Sequence, residues 1–147
     1  DLDGNILGKH KGIWNYTIGQ RKGLGISHCN PLYVIEINAE KNEVVLGEKD
    51  SLKSNGLTAS NINIIYDKIP KTAEAKIRSA SPAVPCEITS HSEHDFTLNF
   101  INQQLAVTPG QSVVIYDGEY VIGGGVISGV RGEDQATNPA APEKLPN

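Results

Sequence analysis

The segment 112–127, SVVIYDGEYVIGGGVI, decides the fold of this chain. Two runs of β-branched and aromatic residues lie on either side of Asp117-Gly118, a dipeptide typical of two-residue turns between antiparallel strands. Gly123, Gly124 and Gly125 lie inside the second run, and glycines within a strand indicate a bulge or a close approach of another backbone. The segment therefore predicts a hairpin of two strands, 112–116 and 120–127.

The residues upstream of this hairpin repeat the same pattern of short β-branched runs between turn residues. Regular spacing of this kind is typical of a small antiparallel barrel. The runs 31–37 and 43–47 predict a hairpin across the turn 38–42, and 57–66 alternates apolar and polar residues as a half-buried strand does. Further barrel strands are predicted at 73–79, 86–89 and 95–100.

The chain is therefore predicted to be mainly β and to divide into three parts. A boundary near 67–70 separates a small β-rich domain, 1–66, from an antiparallel β-barrel, 67–130. A short helix is predicted at 17–22, ended by Gly23 and Gly25. The segment 131–147, rich in Gly, Pro, Asn and charged residues, is predicted to be a disordered tail.

The composition limits the class of protein. The 147 residues are 38% hydrophobic and carry a net charge of −4, which fits a globular protein and argues against a generic basic nucleic-acid binder. No apolar stretch is long enough to span a bilayer, so no membrane partner is expected. The chain starts at Asp1 and contains no Met, which suggests a piece of a longer polypeptide. Cys29 and Cys86 lack C-x-x-C spacing, and no metal site is predicted.

The segment 8–25, GKHKGIWNYTIGQRKGLG, is the most unusual part of the composition. Glycine lets backbone N–H groups approach a ligand, and neighbouring Lys and Arg side chains suit a phosphate-bearing partner. The alternative is a loop whose cations are simply solvated, because no standard phosphate-loop pattern is present. Trp14 is expected to anchor a small core, whereas Tyr16 is left open between packing and stacking on a base.

The same segment resembles the pattern G-x-H-x-G-x-x-x-Y-T-x-G-Q-R-x-G-L-G of the tRNA-specific 2-thiouridylases. Further motifs of that family follow in the same order, at 31–34, 84–86, 106–111, 116–118 and 123–127. The family combines an N-terminal ATP-pyrophosphatase domain, a small central domain and a β-barrel like those of translation factors. The resemblance covers 4–130 and implies that this chain is the central domain followed by the translation-factor-like barrel.

The resemblance also implies a chemistry. The family makes 2-thiouridine at the wobble position of tRNA, using ATP with magnesium and a cysteine persulfide from a sulfur-donor protein. The S-G-G-x-D-S phosphate loop and the two catalytic cysteines of the family are absent from this sequence. The chain alone is therefore expected to be inactive, to have no catalytic residues and to bind no cofactor, as a monomeric part of a cytoplasmic enzyme, or of an organellar one in a eukaryote.

The site residues implied by the resemblance are tRNA-binding positions on the barrel. They are Arg78, Ser79 and Gln111, of which Ser79 departs from the usual Tyr. Turn and strand-end polar groups on a barrel rim suit contacts to an RNA backbone, although a solvated Arg and a turn-capping Gln are the plain alternatives. Possible pocket or RNA contacts in the first domain are His10, Tyr16, Thr17, Gln20, Arg21 and Lys22.

Two other functions remain open on the sequence. One is a stand-alone, translation-factor-like RNA-binding β-barrel without a catalytic partner. The other is an acidic module that binds protein, because residues 66–130 carry more Asp and Glu than Lys and Arg. Binding of tRNA that depends on salt and on Arg78 would separate the RNA-binding functions from the last one.

Overall fold

A computed structural model describes residues 1–132 of the chain. These residues form eight strands and two short 3₁₀ helices, which confirms the predicted mainly β class. The 3₁₀ helices span Ile13–Asn15 and Lys49–Leu52. The strands are β1 Tyr33–Asn38, β2 Glu43–Gly47, β3 Lys53–Ile64, β4 Thr72–Lys76, β5 Val84–His91, β6 Asp95–Leu105, β7 Ser112–Asp117 and β8 Tyr120–Arg131. Within residues 1–132, no helix has the length and apolar character needed to cross a membrane.

Strands β3 to β8 form the predicted antiparallel barrel. It is closed, with the strand order β3-β6-β5-β4-β7-β8, and β8 completes it by pairing with β3. The predicted hairpin is confirmed: β7 and β8 pair across Asp117-Gly118, and Gly118 has a φ of 60°. The predicted close approach in β8 is confirmed as well, because a Cβ on Gly123 would lie 2.4 Å from the Asn63 carbonyl oxygen.

Strand β3 belongs to the barrel, which corrects the predicted boundary near 67–70. It pairs with β6 on one side and with β8 on the other, so the barrel begins at Lys53. The alternation in 57–66 indicated a half-buried strand, but alternation does not say which sheet a strand joins. Of the predicted tail 131–147, Arg131 is the last residue of β8, and residues 133–147 lie outside the described part.

The helix predicted at 17–22 is wrong. Gly19 and Gly23 have φ values of 88° and 76°, which lie outside the right-handed helical region. The Gly19 N–H donates to the Val34 carbonyl at 2.8 Å, and the Val34 N–H donates to the Gln20 carbonyl at 2.9 Å. The backbone of the segment therefore bonds to the start of β1, and a Gln20 N–H bond to the Thr17 carbonyl, at 3.0 Å, closes a turn.

Two hydrophobic clusters hold the fold. The larger fills the barrel, and its most deeply buried large side chains include Phe96, Leu57 and Leu98. The smaller joins the first segment to the β1–β2 sheet around Val34, with Tyr16 packed against it. The expectation that Trp14 anchors this small core is wrong, because the indole is 80% exposed. Tyr16, the residue left open, provides the aromatic packing instead.

Cys86 lies in the barrel core, and the burial of its thiol should make the free energy of unfolding depend on pH. Burial, and to a smaller extent the nearby Glu74, raises the pKa of its thiol to about 11. An unfolded chain releases this proton near pH 9 while the folded chain keeps it, so the free energy of unfolding should fall as the pH rises from 9 to 11. The expected loss, about 2 kcal/mol, is measured by urea unfolding as the difference between wild type and Cys86→Ala. Equal pH slopes in the two proteins would contradict it.

Candidate nucleic-acid interface

The barrel has two ends of different character, and the topology decides which residues share each end. The segments 77–83 and 106–111 lie at one end, together with the start of β3 and the end of β8, because β4 and β6 finish there and β5 and β7 begin there. We call this the linker end, since the chain enters the barrel here. The opposite end, called the turn end, carries 65–71, 92–94 and the Asp117-Gly118 turn.

Charge is divided unevenly between the two ends. The chain has no Asp or Glu in 76–86, 96–116 or 120–132. The carboxylate nearest the start of β3 is Asp50, which pairs with Lys53 at 2.8 Å. The linker end is therefore cationic although the whole chain is acidic. Its cations are Lys53, Lys76, Arg78 and Arg131, whereas the turn end has Asp67, Glu93, Asp95, Asp117 and Glu119 against Lys68 and Lys71.

Arg78 connects two loops of the linker end. It follows β4, and its Nη2 donates to the carbonyl oxygens of Leu105 and Ala106, both at 2.8 Å. The side chain is otherwise exposed. Arg78 therefore does more than present a charge: it fixes the start of the loop 106–111, which carries Gln111.

Ala106, at the start of the loop 106–111, contacts Arg78, Thr108 and Leu52 through its backbone and lies close to Gly19. Its φ of 52° places a non-glycine residue in the left-handed region, which carries a conformational cost. Three hydrogen bonds hold it there: its carbonyl accepts from Arg78 and from the Thr108 hydroxyl, and its N–H donates to the Leu52 carbonyl at 3.0 Å. A Cβ built on Gly19 would lie 3.2 Å from the Ala106 Cβ. The glycine-rich segment and the barrel loop therefore meet at Ala106.

Gln111 and Ser79 lie on these two loops with exposed side chains. The Gln111 backbone is fixed on both sides, since its N–H donates to the Thr108 carbonyl at 3.3 Å and its carbonyl accepts from the Ile127 N–H at 2.8 Å. No hydrogen bond to the Gln111 amide is formed within residues 1–132. The geometry thus presents an exposed amide on a fixed backbone, beside the loop that Arg78 holds.

Gln20 and His10 use their polar atoms to shape the glycine-rich segment. The Gln20 side chain accepts from the Thr17 N–H and donates to the Lys22 carbonyl, both at 3.0 Å. His10 Nδ1 accepts from the Gly12 N–H at 3.0 Å, which leaves Nε2 to donate to the Asn42 carbonyl at 2.8 Å. Both residues are therefore engaged inside the protein.

The remaining polar residues of the segment point outward. The side chains of Thr17, Arg21 and Lys22 are exposed, as are those of Lys9 and Lys11. Of these cations, Arg21 and Lys22 follow Gly19, the residue that approaches Ala106 at the linker end.

The glycine-rich segment does not form a cradle for the phosphates of ATP. The N–H groups of Gly12, Gly19 and Gln20 already bond within the protein, so they cannot converge on an anion. Among residues 1–132, no three His, Cys, Asp or Glu side chains gather as metal ligands. The donor set in this part of the chain therefore does not fit ATP with magnesium.

A cleft of about 480 Å³ separates residues 4–10 from β2. His10 and Tyr16 line it, with ring centroids 5.9 Å apart in an edge-to-face arrangement. Thr17, Gln20, Arg21 and Lys22 do not line it. The six residues predicted as pocket or RNA contacts therefore divide between this cleft and the turn beside Ala106.

Ala106 belongs to the motif at 106–111, but its left-handed backbone was not predicted, and Leu105 lies outside that motif. Nothing in an alanine side chain signals a left-handed backbone, and a carbonyl that accepts from a distant arginine leaves no pattern in sequence. Only the Thr-Pro-Gly-Gln string at 108–111 indicated that this loop is unusual.

Comparisons with known proteins agree on one family. Residues 1–48 match the tRNA methyl transferase PRC-barrel domain, and residues 54–127 match the aminomethyltransferase beta-barrel domain. The chain is 48% identical over 130 residues to tRNA-specific 2-thiouridylase MnmA of Halothermothrix orenii, and 44% identical over 132 residues to that of Microcystis aeruginosa. These alignments cover 86% and 88% of this chain but only 36% and 38% of the relatives. The chain thus spans little more than a third of their length.

Proposed function

We propose, since this chain belongs to the tRNA-specific 2-thiouridylase family, that it holds the tRNA on which the parent enzyme, a tRNA-uridine 2-sulfurtransferase, acts. Its barrel and glycine-rich segment position the RNA, so that the wobble uridine reaches a catalytic site formed elsewhere in the parent. Arg78, Ser79 and Gln111 are the proposed barrel contacts. Tyr16, Thr17, Arg21 and Lys22 are the proposed contacts of the first segment, with His10 and Gln20 shaping it.

The observation that carries this proposal is the approach of Gly19 to Ala106, which brings the glycine-rich segment to the linker end, where the cations of the barrel lie. Phosphate binding needs cations without nearby carboxylates, because affinity for nucleic acid is dominated by backbone phosphates. Arg78 provides a cation next to Gln111, and Arg21 and Lys22 follow the Gly19 contact with the same loop. Backbone contacts of this kind fix the register of an RNA without reading its sequence.

The exposed indole of Trp14 supports the same function. An aromatic side chain that is 80% exposed can stack on an unpaired base. It follows Lys9 and Lys11, whose charges suit the neighbouring phosphates. Stacking on a base, the alternative to packing in the core, is therefore the role we propose for Trp14.

The remaining chemistry is assigned to parts of the parent beyond this chain. On this proposal, ATP with magnesium is bound by another domain, and sulfur arrives from a persulfide-carrying protein. The chain by itself is inactive and monomeric, and it works in the cytoplasm, where its substrate is found. Of the seven carboxylates in 66–130, five lie at the turn end, away from the proposed RNA surface.

A titration of labelled tRNA that carries a wobble uridine tests the proposal. Binding should weaken as salt increases, because bound phosphates release counterions. Arg21→Ala with Lys22→Ala should weaken binding by about tenfold and lower the salt slope by about 2. The measurement is fluorescence anisotropy at two or more salt concentrations.

The matched control is Lys68→Ala with Lys71→Ala, which removes the same charge from the turn end. This variant should bind tRNA like the wild type. Equal losses in the two double variants would show that only net charge matters and would contradict the proposed surface. Absence of salt-dependent binding by the wild-type chain would contradict an RNA-holding role for this part of the parent.

A further inference from the structure

The turn end of the barrel carries an exposed apolar surface. Four large side chains are exposed here: Ile65 at 66%, Tyr66 at 45%, Tyr120 at 67% and Val121 at 40%. Exposed apolar side chains that gather in one place mark interaction surfaces, whereas single ones need no explanation. We call these four residues the turn-end patch.

Strand pairing brings the two halves of the patch together. The Ile65 N–H donates to the Ile122 carbonyl at 2.8 Å, so the chain that leaves β3 continues beside the start of β8. Tyr120 and Val121 are the first two residues of β8. Ile65, Tyr120 and Val121 therefore lie on adjacent backbones that are bonded to each other, whereas Tyr66 follows in the bend after Ile65.

Three exposed carboxylates border the patch. Asp67 follows Tyr66 directly, Asp117 pairs with Tyr120 across the β7–β8 turn, and Glu119 precedes Tyr120. None of the three forms an ion pair or a side-chain hydrogen bond within residues 1–132. The border of the patch therefore offers three carboxylates to a partner, while Lys68 and Lys71 are the cations at the same end.

We propose that the turn-end patch docks a protein partner whose surface combines apolar side chains with lysines or arginines. Tyrosine is enriched at the centres of protein interfaces, where the ring is buried and the hydroxyl can bond. Complementary charges at the rim steer the partner and exclude wrong ones. The carboxylates would repel RNA phosphates, and a second copy of the chain would present the same negative border. This docking is independent of tRNA binding at the linker end.

A basic peptide probe tests the docking surface on the whole chain. The probe alternates Lys with Leu and Trp, and its matched control carries Glu in place of each Lys. Nuclear magnetic resonance should show shifts centred on 65–67 and 117–121 with the Lys peptide. The Glu peptide should bind at least about tenfold more weakly at low salt.

Substitutions in the patch complete the test. Ile65→Ser with Tyr120→Ser should reduce affinity for the Lys peptide by about tenfold or more, and Asp117→Asn with Glu119→Gln should remove much of its salt dependence. Ile101→Ser is the control, since Ile101 on β6 is 59% exposed and outside the patch. Because all of these side chains are exposed, thermal midpoints should stay close to that of the wild type.

Four outcomes would overturn the proposal. Peptide-induced shifts elsewhere, or equal affinity in wild type and the Ile65→Ser and Tyr120→Ser double variant, would show that the patch does not dock a basic protein. Self-association that disappears in Tyr120→Ser would assign the patch to a second copy of the chain. Protection of the patch by tRNA would assign it to nucleic acid.

Discussion

Replacing Gly56 by alanine should lower the free energy of unfolding by about 3 kcal/mol or more. Gly56 lies in β3, where that strand pairs with both β6 and β8. A Cβ at this position would lie 2.2 Å from the Leu98 carbonyl oxygen and 2.8 Å from the Asn99 side chain. The carbonyl belongs to the backbone of a buried strand, so it cannot move aside without breaking the barrel.

The matched control for this variant is Gly129→Ala. Gly129 lies in β8, the neighbouring strand, and within residues 1–132 a Cβ there meets only the Thr58 Cβ, at 3.8 Å. This change should alter stability by less than about 1 kcal/mol. Urea unfolding of both variants measures the difference. Similar stabilities for the two would show that the close approach of β3 to β6 does not constrain residue 56.

Replacing Arg78 by alanine should weaken tRNA binding by more than about tenfold. The change removes a cation from the proposed RNA surface, and it also removes the two hydrogen bonds that Arg78 donates to the carbonyls of Leu105 and Ala106. The loop that carries Gln111 should then loosen. We therefore expect faster hydrogen exchange at the N–H groups of Ala106 and Gln111, together with a loss of about 1–2 kcal/mol of stability.

Two further variants distinguish the effect of Arg78 on the position of the loop 106–111 from direct contacts of side chains with tRNA. Gln111→Ala should reduce affinity by a smaller factor and leave hydrogen exchange in 106–111 unchanged. Arg78→Lys keeps the charge but not the planar group that donates to two carbonyls, so it should recover part of the affinity without restoring exchange protection. Unchanged exchange in Arg78→Ala would show that Arg78 does not position the loop. Wild-type affinity in that variant would remove Arg78 from the RNA surface.

The β elements were well predicted wherever local chemistry fixes them. The Asp117-Gly118 turn, the strands around it and the β1–β2 hairpin follow from turn residues and β-branched runs, which act over a few positions. The helix at 17–22 failed because its glycines take left-handed backbone angles and bond to Val34, a partner that lies outside the segment. The prediction for Trp14 was wrong for a related reason. The segment contains two aromatic residues, Trp14 and Tyr16, and the sequence does not show which of the two side chains packs in the core.

The candidate site was only partly predictable. The motif strings predicted Arg78, Gln111 and the glycine-rich segment as candidate contacts, and the comparisons support the family that those strings indicated. They did not reveal that Arg78 holds the backbone at Ala106, or that Gln20 and His10 use their polar atoms internally. Hydrogen bonds to distant carbonyls depend on where the chain returns, and spacing in sequence does not record that.

The sequence by itself determined the β class, the closing hairpin and the family, because turn chemistry, residue alternation and long motif strings are local properties. The tertiary structure alone decided that β3 joins the barrel and that cations gather at one end while carboxylates gather at the other. Closure of the sheet determines which residues share each end of the barrel, because it brings together residues that are far apart in the chain. An acidic chain thereby acquires a cationic face, which its net charge of −4 conceals.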